Sequence, residues 1–270
     1  MLGRKSGAVR VGIGGWTFAP WRGPFYPTGL PHARELSYAA ERLGAIEING
    51  TYYRRQAPKS FATWAKATPP GFVFSVKASR FCTNRKVLAE AGEAVAAFLG
   101  QGLVELGEKL GPILWQFMPS KQFDEDDFGA FLRLLPSAQD GVRLRHAIEV
   151  RHESFRDSTF VALARKAGAA IVFADSPKHP AIADLTAEFV YARLQDARED
   201  EATGYASGEL DRWADVARQW ARGDQPEISS YVTQSNSRGS KRDVFIFMIN
   251  GAKLRAPAAA QALISRLQQD

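Results

Sequence analysis

Eight short apolar runs punctuate this sequence, and seven of them end on side chains that can do chemistry. AIEINGTYY carries Glu47 and Asn49, with Tyr52 and Tyr53 just beyond. FVFSVKASR carries Lys77 and Arg80, and ILWQF carries Gln116. AIEVRH carries Glu149, Arg151 and His152. IVFADS carries Asp175, YARLQ carries Arg193 and FIFMIN carries Asn250. The remaining run, VGIGG, passes into GGWTFAPWRGPFYP, a stiff aromatic loop with Trp16 and Trp21. Carboxylates can give or take protons, and lysine and arginine can neutralise an anion as it binds or forms. An unpaired buried charge costs several kcal/mol, so such residues pair with one another or line a wet cavity. Convergence of these strand ends would make a pocket for an anionic or polyhydroxylated ligand. The bland alternative is a lattice of salt bridges plugging the same place.

Other chemistries have thinner support. Cys82 is the lone cysteine, which excludes an intrachain disulfide and a multi-cysteine zinc site. It follows the third run with no His near it in sequence, so a small buried thiol is its ordinary reading. Glu149, His152 and Asp175 are metal-ligand types, but the chain holds four His in all and shows no His-rich spacing. No cofactor is expected, with a carboxylate-held divalent ion kept as an alternative. Arg54 and Arg55 read as phosphate contacts or as a solvated turn.

The elements that must position these residues follow from the same runs. Strands are expected at Val11–Gly15, Ala45–Ile48, Phe72–Lys77, Ile113–Phe117, Ala147–Val150, Ala170–Ala174, Phe189–Leu194 and Val244–Ile249. Most are continuously apolar, as strands buried on both faces of a parallel sheet are. Amphipathic helices are expected at Leu30–Gly44, Pro58–Pro70, Lys86–Leu110 (whole or broken), Asp124–Leu135, Asp157–Gly168, Ser207–Arg222 and Ala258–Leu267. Ser176–Glu188 is the least regular connection. Eight strand–helix rounds in one-domain length predict a single α/β domain, a (β/α)8 TIM-type barrel over residues 11–270, behind a loose tail at 1–10. In such barrels the chemistry sits at the C-terminal strand ends. Gly12, Gly14 and Gly15 give only a fragment of a dinucleotide fingerprint, and Trp16 rather than a helix follows.

Composition agrees with a globular chain: 270 residues, 45% hydrophobic and 24% charged. No run approaches ~20 apolar residues, so no membrane span is expected; with one cysteine and no disulfide need, a reducing cytoplasm is the natural setting. The net charge of +6 permits nucleic-acid or phosphate partners without demanding them. The one dense basic run, NSRGSKR at Asn236–Arg242, reads as a flexible loop. Nothing in the sequence sets an oligomeric state.

The strand ends also carry a resemblance. GGWTFAPWRGPFYP, AIEINGTYYR, VFSVKASR, LGPILWQFMPS, IEVRHESF, IVFADSP, YARL and NGAKLRAP together resemble the YecE-like family, known as domain of unknown function 72. The likeness runs from Val11 to about Leu263 and implies a TIM-type barrel, but no activity. It marks Trp16, Trp21, Glu47, Asn49, Tyr53, Lys77, Gln116, Glu149, Arg151, His152, Asp175, Arg193 and Asn250 as candidate site residues. This chain departs from the pattern at Asn84 and Gln195, where the family tends to have His, and at Ile249–Asn250–Gly251, where it tends to have Asn-Asn-Asp.

The leading expectation is an enzyme, a hydrolase, lyase or isomerase by character, acting on a phosphorylated or sugar-like small molecule. Glu47, Glu149 or Asp175 would serve as acid or base; Lys77, Arg151 and Arg193 would neutralise charge; Trp16 and Trp21 would form a wall. The alternatives are a nucleic-acid-binding or nucleic-acid-processing barrel and a non-catalytic binding barrel.

Overall fold

The computed structural model describes residues 6–228, 230–233 and 239–269. Residues 236–238 of the basic run lie outside them.

Nine parallel strands form the main sheet: β1 (Val9–Gly14), β2 (Ala45–Ile48), β3 (Val73–Lys77), β4 (Leu110–Gln116), β5 (His146–Glu149), β6 (Ala170–Ile171), β7 (Phe173–Asp175), β8 (Phe189–Leu194) and β9 (Asp243–Met248). Each pairs with the next in chain order as far as β6, and β9 returns to β1. Among the described residues, β6 pairs only with β5, and β7 only with β8. These two segments are one expected strand, interrupted at Val172, whose N–H reaches Ile148 O at 2.9 Å. The nine segments thus occupy eight strand positions of a nearly closed TIM-type barrel. Register aligns Gly14 with Glu47, Lys77 with Leu114, Gln116 with Glu149, and Leu194 with both Asp175 and Met248. The strand C-termini therefore share one rim, as parallel pairing requires.

The helices are α1 (Glu35–Ala40), α2 (Gly50–Tyr53), α3 (Pro58–Lys66), α4 (Arg80–Thr83), α5 (Gly92–Leu99), α6 (Glu125–Arg133), α7 (Ser158–Lys166), α8 (Ser207–Arg222) and α9 (Ala256–Leu267). Their starts are chemically marked. Asp124 caps α6 by accepting from Asp127 N at 2.8 Å, and Asp157 caps α7 by accepting from Thr159 N at 2.6 Å. Gly223, at φ +88, ends α8 in the left-handed conformation glycine tolerates. Among the described residues, no helix is long and apolar enough to cross a membrane.

Several expected boundaries move. The Leu30–Gly44 helix shrinks to α1 behind a 3-10 turn at His32–Arg34; Pro31 disfavours a helical Leu30 before it and is itself extended at ψ 141. The Lys86–Leu110 segment is broken, with Gly102 at φ +103 separating α5 from the 3-10 stretch Leu103–Lys109. β4 starts at Leu110, earlier than expected, and takes in Gly111 and Pro112. The pairing with β3 is irregular there, since proline has no N–H to give the ladder. β1 likewise begins two residues early, at Val9. Ser176–Glu188 forms no helix.

Two apolar clusters stabilise this arrangement. The larger lies between sheet and helices and includes Ile46, Phe74, Trp115 and Trp220. The smaller fills the barrel and includes Leu114, Phe189, Phe245 and Phe247. The smaller ends where the strand-end charges begin.

Candidate functional site

Side chains alternate across a strand, so parity decides which of them enter the barrel. Ala45, Val73, Leu114, Ala147 and Tyr191 belong to the inner cluster. Counting on by twos gives Glu47, Ser75 and Lys77, Gln116, Glu149 and Arg151, and Arg193. These side chains do meet. Arg193 donates from Nε and Nη2 to the two oxygens of Glu47, both at 3.1 Å, and from Nη1 to Glu149 Oε2. Arg151 Nε donates to Glu149 Oε1 at 2.8 Å. Gln116 Nε2 donates to Glu149 Oε2 at 2.9 Å, while its Oε1 accepts from Lys77 Nζ at 2.7 Å. Below, Tyr191 donates its hydroxyl proton to Glu47 Oε2 at 2.7 Å and lies 2.7 Å from Ser75 Oγ.

The layer divides into a buried floor and an open face. Glu47 and Glu149 are 0% exposed and Arg193 2%. Above them opens a cavity of about 640 Å³. Its walls include Lys77, Gln116, Arg151 and Arg193, with Arg54 and Lys253 nearer the rim. Trp16, Phe18 and Trp64 supply an aromatic side, Trp16 and Trp64 meeting edge to face at 5.3 Å. Gly14 lines the cavity where a side chain would not fit: a Cβ there would lie 2.7 Å from Ile249 Cδ1 and 3.1 Å from Asn49 Nδ2.

The aromatic loop has two parts. Trp21, Phe25 and Tyr26 are buried and hold the loop down. Trp21 Nε1 donates to Lys253 O at 2.9 Å, and the Tyr26 hydroxyl to Trp16 O at 2.7 Å. Trp16 and Phe18 are half-buried against the cavity. Trp21 also borders it, but as a fixed support.

Charge follows geometry. Burial alone would raise the Glu149 carboxyl, but Arg193 and Arg151, with the Gln116 hydrogen bond, outweigh it and hold it at about 2. Burial would lower Arg193, but Glu149 and Glu47 more than reverse that, so it stays cationic. Lys77 is lowered to about 8, by burial first and then by Arg193. No ion pair holds it among the described residues, and its ammonium lies 4.3 Å from the Tyr52 ring centroid.

Of the sequence-predicted residues, Trp16, Trp21, Asn49, Tyr53, Lys77, Gln116, Arg151, Arg193 and Asn250 line the cavity. Glu47 and Glu149 lie beneath it as partners of Arg193. Asp175 is not brought to this site. It falls on the opposite parity from Ala170 and Val172, and its neighbours are Asp196, Arg212 and Glu209. Burial and Asp196 raise it to about 6. His152 also has outward parity. Its Nδ1 accepts from Ser154 N at 3.2 Å and caps a 3-10 turn. Cys82 is buried, which pushes its thiol up to about 12 and leaves little thiolate.

Ser75, Tyr191, Phe18, Trp64 and Lys253 join the site without having been expected from the sequence. Parity marks Ser75 and Tyr191, two residues before Lys77 and Arg193. Phe18 lies in the aromatic loop already singled out, and no local signal marks Trp64 or Lys253, which arrive from α3 and a 3-10 turn. At two positions where the chain departs from the family pattern, Asn250 Nδ2 donates to Gln195 Oε1 at 3.1 Å and Asn84 Nδ2 to the Tyr52 hydroxyl at 3.1 Å. Among the described residues, no three His, Cys, Asp or Glu side chains gather as a metal-binding group. Glu149 has both oxygens committed to Arg151, Arg193 and Gln116.

The family profile described as protein of unknown function DUF72 matches residues 10–270. No curated protein matches the chain. Among solved structures, a DUF72 family protein from Thermotoga maritima MSB8 is 22% identical, with a TM-score of 0.72, over 97% of this chain and 100% of that one. A DUF72 family protein from Enterococcus faecalis V583 is 16% identical, with a TM-score of 0.70, over 97% of this chain and 96% of that one. At these identities the likeness is one of fold.

Proposed function

We propose that this chain, which belongs to the DUF72 family of proteins of unknown function, is an enzyme acting on a phosphorylated or sugar-like small molecule at the mouth of its barrel. One observation carries the reading. Among the described residues, the cavity is lined by five cations, Arg54, Lys77, Arg151, Arg193 and Lys253, and by no carboxylate. The two carboxylates beneath offset part of that charge, leaving an excess of three. A ligand carrying a phosphate or carboxylate group balances it.

The acid–base assignment expected for Glu149 gives way to another role. Held ionised by two guanidiniums, it fixes their positions and keeps them charged. Donors held in place before the ligand arrives stabilise an anion without reorganising, the largest single contribution in many enzymes. Lys77 has three N–H donors, and Gln116 takes one. Trp16 and Trp64 offer ring faces and edges to the apolar side of a sugar-like body.

Calorimetric titration with glycerol phosphate and with glycerol tests this. The phosphate ester binds and glycerol does not, and Arg151→Met weakens binding about tenfold or more. Equal failure of both compounds across a set of phosphorylated sugars and acids would remove the reading.

A nucleic-acid partner has its own supporting observation. Tyr53 and Phe81 are 66% and 61% exposed beside Arg54, Arg55 and Arg80. Such a partner would be retained on the protein at low salt and released steeply as salt rises.

A further inference from the structure

We propose that Lys77 is a nucleophilic amine that forms an imine with an anionic aldehyde or ketone bound in the barrel cavity. The inference rests on the reading of the cavity as an anion site and names its substrate class.

Lys77 differs from the other deep cations of the cavity. Arg193 and Arg151 are fixed by carboxylates; Lys77 is held by an uncharged amide, Gln116 Oε1 at 2.7 Å. Two guanidiniums, Arg193 and Arg151, line the same cavity, and the Tyr52 ring lies against the ammonium. The charged groups facing it are therefore Arg193 from β8, Arg151 after β5, and Glu47 and Glu149 on the floor. Burial first, then the Arg193 guanidinium, opposes a positive charge here, and Glu47 and Glu149 only partly offset them. Arginine cannot respond by losing a proton, but lysine can. Lowered from 10.5 to about 8, the amine is about one-tenth neutral at pH 7, against about 0.03% for an ordinary lysine. A desolvated lysine next to cationic groups is the arrangement that activates an amine toward carbonyl carbon. The same guanidiniums would hold the substrate's phosphate or carboxylate.

The step balances without an oxidant or reductant. The neutral nitrogen adds to the carbonyl carbon, and its proton passes to the former carbonyl oxygen. That oxygen takes a second proton from solvent and leaves as water. The product is a protonated imine, which restores the positive charge at Lys77.

The test uses glycolaldehyde phosphate as the probe, with cyanoborohydride to reduce any imine to a stable secondary amine, and peptide mass spectrometry to place the adduct. Lys77 is modified about tenfold or more faster than the exposed lysines Lys59 and Lys66. Unphosphorylated glycolaldehyde shows no such preference, and Lys77→Arg carries no adduct at that position. Modification of Lys77 at or below the rate of Lys59 and Lys66 overturns the proposal, and the native chain alone gives that answer. Glycerol phosphate binding, measured in parallel, separates the two readings. Binding without Lys77 modification removes the imine and leaves the anion site, whereas loss of both removes both.

Discussion

Arg193 and Glu149 are joined inside the barrel, Nη1 to Oε2, with 2% and 0% of their surfaces exposed. The same guanidinium also takes both oxygens of Glu47. Desolvation offsets much of the attraction in such a cluster, so its presence is weak evidence of stability. Removing one member is a different matter, because the partners stay buried and charged. Arg193→Met therefore destabilises the fold by about 3–5 kcal/mol, read as a lower denaturant midpoint with an unchanged slope. A loss below about 1 kcal/mol would mean that water reaches the two carboxylates and that the floor is not sealed.

Acid should undo the same cluster. The Glu149 carboxyl is held at about 2 in the fold against 4.5 when free, so the folded state binds its proton less readily. Its contribution is complete above about 4.5 and fades as pH falls toward about 2. Glu149→Gln flattens that part of the stability–pH curve. Identical acid limbs for the two proteins would show that Arg193 and Arg151 do not hold the carboxylate down.

Much of this was legible in the sequence, and the misses have physical causes. Continuous apolar runs located every barrel strand because both faces of each strand are buried. Boundaries slipped where backbone chemistry, not apolarity, decided them: Pro112 inside β4, Gly102 after α5, Pro31 before α1. The polar cluster was legible by residue type, since charge after an apolar run is costly. Glu47, Lys77, Glu149, Arg151 and Arg193 came together on that ground alone. Asp175 did not, because type says nothing about direction and it stands one residue off the inward parity. Trp64 and Lys253 reach the cavity through tertiary packing that no local pattern encodes.

Lys77 should make the fold less stable than it could be. Its folded value of about 8 lies below the free 10.5, so the folded state gives up the proton first. Between those values stability rises with pH, and below about 8 the full cost of holding the charge is present. Lys77→Met removes that cost. At pH 7 the variant gains about 1–3 kcal/mol after allowing for solvent near the amine, and its stability no longer climbs from pH 8 to 10.5. Ligand binding falls in the same variant. A protein both less stable and still competent to bind would place Lys77 in the structural lattice and not in the site.

Asp175 gives the complementary case, a perturbed carboxyl outside the cavity. It is raised to about 6 by burial and Asp196, with Arg212 opposing. A raised carboxyl favours the protonated fold. That contribution is complete below the free value of 3.8 and is lost as pH rises through about 6. At pH 7.5 the ionised group is then a net cost, and Asp175→Asn relieves it by about 1–2 kcal/mol, measured by denaturant titration. At pH 4 the two proteins are nearly equal. Because Asp175 points away from the barrel interior, glycerol phosphate should bind the variant as tightly as the parent. A tenfold loss of binding at unchanged or improved stability would mean that Asp175 reaches the ligand through a rearrangement of β7, and the parity argument that separates it from Glu149 would fail.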